Sequence, residues 1–240
     1  MDRIVTLQAQ PQSIDVDLAT TAVIVVDMQN DFVTKGGLFD RAGIDISGAQ
    51  GAVASTAKVL AAVRAAELPI IYLKMGYHAD LSDLGAPGSV NRERHLHFGV
   101  GQTMRTPNGS EGRFLIRETW NTEIVADLQP QTGDTVIYKT RFSGFYQTDL
   151  DATLKRAGIK YLIVTGVTTS ICVESTVRDA MFRDYLCVML RDCMSEPIGH
   201  DLLRTNHEAS LLNVEALLGW VSNSDQFIKA ITAKASQAAR

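Results

Sequence analysis

The sequence predicts a doubly wound α/β fold: a mostly parallel, six-stranded sheet with helices on both faces, in the three-layer, Rossmann-like manner. Three observations predict it. Short β-branched runs alternate with longer helical patterns over most of the 240 residues. The runs are continuously apolar rather than alternating, as expected of strands covered on both faces. Strand, helix and strand repeat with no low-complexity linker and no internal repeat, which favours right-handed crossovers within a single domain over residues 1–240.

In chain order, residues 1–20 form an N-terminal arm, with polar and acidic residues where an export signal needs an apolar block. TAVIVVD (21–27) is the first strand. A helix over 52–66 carries Val53, Ala57, Leu60 and Val63 at spacings of three and four and stops before Pro69. IIYLK (70–74) is the second strand. Residues 76–115 read as a long active-site loop, rich in glycine and proline, with little periodicity; loops of this length in a compact domain are usually functional. DTVIYK (134–139) is the third strand, followed by a helix over 149–157 that ends at Gly158. YLIVTGV (161–167), a helix over 174–185, CVMLRD (187–192) and helices over 202–212 and 224–235 complete the pattern. The sheet is expected to hold about six strands, of which these five are legible.

Composition narrows the function. Apolar residues at 45% and charged residues at 21% exclude a disordered or fibrous chain. Lysine plus arginine is 23 against 27 acidic residues, a net charge of −4, so nothing electrostatic points to nucleic acid or an anionic membrane. Purely apolar runs such as AVIVV (22–26) fall far short of the ~20 residues of a membrane span. Three cysteines, Cys172, Cys187 and Cys193, argue against a disulfide framework and for a reducing, cytoplasmic compartment.

In open parallel sheets, ligands bind at the carboxyl ends of the strands. Asp27 closes the first strand, Lys139 closes the third, and Cys172 follows the fourth by five residues, at the start of a helix. Singly, each has an ordinary reading: a turn or cap, a solvated lysine, a small buried thiol. Together they deliver a nucleophile, an acid–base carboxylate and a cation to one edge of one sheet. A thiol attacks carbonyls as thiolate, and its pKa falls at a helix N-terminus or beside a cation. Asp27 is suited to take the thiol proton and return it to a leaving amine. Cys187, inside an apolar strand, and Cys193, without a helix signal, lack this context.

Three segments, VVDMQNDF (25–32), YKTRFSGFYQTDL (138–150) and TGVTTSICVESTVRDA (165–180), resemble the isochorismatase-like cysteine hydrolases, and the resemblance runs over about residues 21–223. It implies that Asp27, Lys139 and Cys172 form a catalytic triad. It also implies a cis peptide between Val167 and Thr168 that aims the amides of Thr168 and Cys172 at a developing oxyanion. Members that lack the cysteine cleave vinyl ethers, so its presence here implies hydrolysis of an amide or ureide C–N bond. Nicotinamidases of the family bind a metal through an aspartate and two histidines. The matching GYHADLSD (76–83) has one histidine, so neither metal nor cofactor is expected. His95 and His97 share a face if their segment is extended, for which a surface or substrate-lining role is preferred to metal ligation.

Within the family, RFSGFYQTDLD, ICVESTVRDA and LGWVSNSDQF resemble ureidoacrylate amidohydrolases, and GYHADLSDL resembles biuret-type hydrolases. The implied substrate is a short, flat, polar ureide such as ureidoacrylate, biuret or triuret. Phe32 and Tyr77 would stack on it, Asn91, Arg92, Arg94 and Gln102 would bond to it from the long loop, and Glu215 would accept the N–H groups at its far end. A nicotinamidase or N-carbamoylsarcosine amidase activity is the alternative, and a non-catalytic binding or scaffold protein on the same fold is the rival class. The resemblance further implies a homo-oligomer, a tetramer, with the segment ALLGWVSN (216–223) offered as a subunit contact.

Overall fold

The run Thr21–Val26 is buried at all six positions because it lies in the middle of a sheet covered on both sides. Side chains alternate across a strand. Val23 and Val25 therefore enter one apolar layer, and Ala22, Ile24 and Val26 enter the other. The computed structural model describes residues 3–238. In chain order the elements are the antiparallel pair β1 (Ile4–Leu7) and β2 (Ile14–Asp17), then β3 (Thr21–Val26), and the short helices α1 (Asn30–Val33) and α2 (Leu38–Arg41). They continue with α3 (Ser47–Ala65), β4 (Ile70–Met75), α4 (Val90–His97), the antiparallel pair β5 (Thr103–Arg105) and β6 (Glu111–Arg113), and β7 (Thr135–Lys139). The last third holds α5 (Leu150–Arg156), β8 (Tyr161–Val167), α6 (Glu174–Met181), β9 (Leu186–Ser195), α7 (Asn206–Asn213), β10 (Trp220–Ser222) and α8 (Ser224–Ala238).

The central sheet has the order β10-β9-β8-β3-β4-β7. Every pairing in it is parallel. The chain moves outward from β3 through β4 to β7, then returns to β8 beside β3 and runs to the other edge. That reversal makes the β3/β8 boundary the topological switch point, where a crevice opens at the carboxyl ends of the strands. On one face α3 contributes Val53, Val59, Leu60 and Val63 and α8 contributes Phe227 and Ile231. On the other, Leu150 and Leu154 of α5 pack with Val177 and Ala180 of α6. Among the described residues, no helix is long and apolar enough to cross a membrane.

The structure departs from the sequence reading in several places. The sixth strand is β10, three residues within 216–223, too short to announce itself by pattern. The arm is not loose chain: β1 and β2 bury Val5, Leu7 and Val16 in the core. The stretch 76–115 contains α4, capped by the Ser89 side chain on the Arg92 amide, and the β5–β6 pair. These fold around their own apolar cluster, which includes Tyr77, Leu84, Val100, Phe114 and Leu115. Because α4 is helical, His95 and His97 do not share a face as they would on a strand. Finally, α7 starts at Asn206, not 202, because Thr205 and Glu208 form a reciprocal capping box.

Candidate active site

Asp27 leaves the end of β3 with φ 51°, the left-handed region that Asp tolerates better than most residues. Its amide donates to the Leu73 carbonyl at 2.9 Å, and its Oδ1 accepts the Met75 N–H at 2.9 Å. The buried Gln29 clamps the same turn, accepting the Met75 N–H through Oε1 at 2.7 Å and donating Nε2 to the Met75 carbonyl at 2.8 Å. Lys139 ends β7 in register with Met75, one strand further out. Strands lie ~4.8 Å apart, so the long lysine stem can cross the end of β4 to reach β3. Its Nζ stands 2.7 Å from Asp27 Oδ2, with both side chains essentially shut off from solvent. The same Nζ donates to the Arg141 carbonyl at 3.2 Å and touches Met75 Sδ at 3.5 Å.

Cys172 arrives from β8, whose next-to-last residue is Gly166 at φ 127°. A Cβ on Gly166 would collide with the Val26 carbonyl oxygen, so only glycine lets β8 pass this close to β3. The Val167–Thr168 peptide is cis. A π-helical turn over Thr169–Val173 then leads straight into α6, so the nucleophile candidate lies inside a widened turn and not at a helix start. The turn is tied from outside. The buried Glu196 carboxylate accepts both the Ser170 amide (2.7 Å) and hydroxyl (2.6 Å), and Thr169 Oγ1 is 2.9 Å from His207 Nδ1.

The Cys172 thiol lies close enough to Asp27 and Lys139 for both to act on its ionisation. Its electrostatics reverse the expectation of a depressed thiol pKa. Burial pushes the thiol far above its ordinary range, Lys139 pulls against this, and the nearby Asp27 carboxylate reinforces it. Burial likewise raises Asp27 above the usual carboxylate range, against the opposing pull of Lys139. For Lys139, burial alone would lower the pKa, but Asp27 and Cys172 outweigh it and hold the ammonium charged. The resting site is a thiol beside a strengthened carboxylate base and a locked cation. Cys187 and Cys193 are buried thiols raised to about 12 by desolvation, with no cation beside either.

Above these three residues opens a cavity of about 160 Å³. Asp27, Thr168 and Cys172 form its floor; Phe32, Phe39, Phe98, Phe142 and Ile198 form much of the wall, with Arg94 and His95 as polar members. Of the residues expected to contact substrate, Phe32 and Arg94 line this cavity. Tyr77 is buried behind it, its hydroxyl 3.3 Å from the Thr140 carbonyl. Asn91 and Arg92 are spent on the loop itself: Asn91 Nδ2 donates to the Leu84 carbonyl at 2.8 Å, and Arg92 Nη1 donates to the Leu81 and Gly85 carbonyls. Arg92 faces a different, open surface recess. Gln102 is exposed on the turn after α4, its amide donating to Gly99. Glu215 lies beside Tyr185, Leu186 and Trp220, where β9 and β10 begin, at the opposite edge of the sheet, so it cannot serve this site. The expected polar pocket is therefore corrected to an apolar one with a charged floor. Sequence reasoning missed the clamps Gln29, Glu196 and His207 and the wall residues Phe39, Phe98 and Ile198. Among the described residues, no group of three or more His, Cys, Asp or Glu side chains is arranged to hold a metal ion.

Comparison with known proteins agrees with this architecture. Residues 21–226 match the Isochorismatase domain. A ureidoacrylate amidohydrolase (RutB) of Variovorax paradoxus is 42% identical over 223 residues, covering 93% of this chain and 86% of the relative. One of Agrobacterium fabrum is 41% identical, covering 95% of this chain and 96% of the relative. Among solved structures, a cysteine hydrolase from Pseudomonas syringae pv. phaseolicola superimposes with a TM-score of 0.76 at 29% identity, covering 91% of this chain and 95% of that one. The N-carbamoylsarcosine amidase of Thermoplasma acidophilum superimposes with a TM-score of 0.63 at 25% identity, covering 86% of this chain and 97% of that one.

Proposed function

The chain belongs to the isochorismatase-domain family, and on that premise we propose that it is a cysteine amidohydrolase that cleaves a C–N bond of a small ureide through an acyl-enzyme on Cys172. The observation that carries the reading is the buried ion pair of Asp27 and Lys139, 2.7 Å apart, with buried Cys172 beside Asp27 in the same cavity at the switch point of the sheet. Similarity to amidohydrolases acting on ureidoacrylate supports the ureide class.

The chemistry follows from the electrostatics. A free thiolate is disfavoured in this dry site, so proton transfer accompanies attack: the thiol proton passes to Asp27 as the S–C bond forms. The carbonyl π electrons move onto oxygen, where the amides of Thr168 and Cys172 are the proposed donors. Lys139 keeps a positive charge beside the sulfur throughout. The tetrahedral species collapses, the C–N bond breaks, and Asp27 returns its proton to the leaving nitrogen. Water then adds to the thioester carbonyl with Asp27 again taking a proton. The S–C bond breaks and the sulfur recovers its hydrogen.

Cys172→Ala should abolish turnover of ureidoacrylate, biuret and triuret while leaving the thermal unfolding curve in place. Cys187→Ser and Cys193→Ser should retain most activity. Comparable loss from all three substitutions overturns the choice of nucleophile, and best turnover of nicotinamide overturns the ureide class while leaving the thiol mechanism standing.

A further inference from the structure

We propose that His95 decides substrate selectivity, accepting through Nε2 a hydrogen bond from one N–H of the substrate inside an otherwise apolar pocket. The inference rests on the reading of the cavity as a ureide or amide hydrolase site. His95 sits in the last turn of α4, and its Nδ1 lies 2.6 Å from the Asn91 carbonyl of the same helix. A carbonyl only accepts, so Nδ1 carries the hydrogen and the neutral ring leaves Nε2 as a bare acceptor. The bond to Asn91 points back into the helix, which turns the opposite side of the ring away from it. The ring packs edge-on against Tyr77 at 5.5 Å and lies 6.0 Å from Phe142 at an interplanar angle of 30°. These aromatic neighbours fix the ring in the wall of the cavity that has Cys172 in its floor.

The surroundings keep it neutral. Burial lowers the His95 pKa, the Asn91 carbonyl opposes that, and the cations Arg141 and Lys139 lower it further. Arg94, also in the cavity wall, adds a third positive charge, while the Asp27 carboxylate in the floor is already paired with Lys139. A substrate entering this cavity loses water from its N–H groups, and Phe32, Phe39, Phe98 and Phe142 offer them nothing. Apart from the floor, His95 is the one lining side chain that carries an acceptor, since Arg94 only donates. The chemical class that fits is a ureide or amide that bears hydrogen on the nitrogen near the scissile carbonyl and carries a flat or apolar substituent on it.

The experiment compares an N-substituted urea with its N-methyl counterpart, in which that hydrogen is replaced, on wild type, His95→Phe and His95→Gln. Wild type should favour the N–H compound. His95→Phe should lower kcat/KM for it by ~10- to 100-fold, chiefly through KM, and leave the N-methyl compound nearly unchanged. His95→Gln, which sets an amide oxygen near the Nε2 position, should restore most of the selectivity. At acid pH, below the ordinary imidazole range, wild type should lose its preference as the imidazole gains a proton, and His95→Gln should not. Calorimetric binding of the same pair to Cys172→Ala carriers of each His95 variant gives the discrimination without turnover, so failure of the hydrolase reading is scored apart from failure of this one. Equal losses on both compounds, or no change in selectivity by either measure, overturn the role of His95.

Discussion

Lys139→Met removes one half of a buried ion pair while nearly preserving its volume, and its consequences can be worked out beforehand. At 2.7 Å, with an effective interior dielectric of ~20, the attraction between Asp27 and Lys139 is ~6 kcal/mol, most of it offset by desolvating both ions. Removing one partner forfeits the attraction and leaves the desolvation, so Lys139→Met should cost ~3–5 kcal/mol of unfolding free energy. Asp27→Asn should cost a comparable amount by stranding the ammonium, since Asn can keep the acceptor for the Met75 amide. The double variant strands neither charge and should recover to within ~1–2 kcal/mol of wild type, a strongly non-additive cycle. Urea titration measures this, with midpoints falling by ~1–2 M in the singles and returning in the double. Activity should separate from stability: all three variants should lose at least ~10²-fold in rate, because acid–base and charge functions vanish together. A double variant no more stable than the worse single would show that the charges are not coupled. Near-normal kinetics in Asp27→Asn would show that its carboxylate is structural.

Burial raises Asp31 from 3.8 to about 6 although it accepts the Leu38 and Leu115 amides and the Asn121 side chain. The folded state therefore holds this proton more tightly than the unfolded state, and stability should fall by up to ~3 kcal/mol as pH rises from about 4 to about 6, then level off. Asp31→Asn should lose that slope in urea melts relative to wild type, and an unchanged slope refutes the assignment. EDTA should leave turnover unaffected, and loss reversed by one particular metal would redirect attention to His78, His95 and His97. Sedimentation should give a tetramer, with exposed Phe182, Ile198, Leu203 and Leu217 available for subunit contacts; a monomer at micromolar concentration contradicts it.

What the sequence revealed of this molecule has a physical pattern. Asp27, Lys139 and Cys172 stood out because each follows a β-branched run, and in a parallel sheet every such run ends at one edge. The clamps did not stand out: Gln29 meets Met75, Glu196 meets Ser170 and Thr169 meets His207 across 46, 26 and 38 residues, and no local period links such partners. The cavity wall was illegible for the same reason, since Phe39, Phe98, Phe142 and Ile198 come from four separate connections. Glu215 was misplaced through a missed strand. Once Trp220–Ser222 is known to be β10, a residue just before it must lie at the opposite edge from the triad candidates.

The apolar wall and the charged floor belong to one device. An ion pair in water would leave Asp27 a weak base and Lys139 a screened charge, and a solvated thiol would need no partner to ionise at high pH. Shutting water out raises the Asp27 carboxylate toward the pH at which it must accept a proton, and raises the Cys172 thiol beyond the point where it ionises alone. Raising the carboxylate makes it a better acceptor for the thiol proton, whereas raising the thiol works against the transfer, and Lys139 beside the sulfur opposes that second shift. Exclusion of water also strengthens any amide aimed at a developing oxyanion. The phenylalanines around the cavity therefore do more than accept the body of a substrate. A polar wall of the kind first expected would admit water and weaken the upward shift of the Asp27 carboxylate that burial produces.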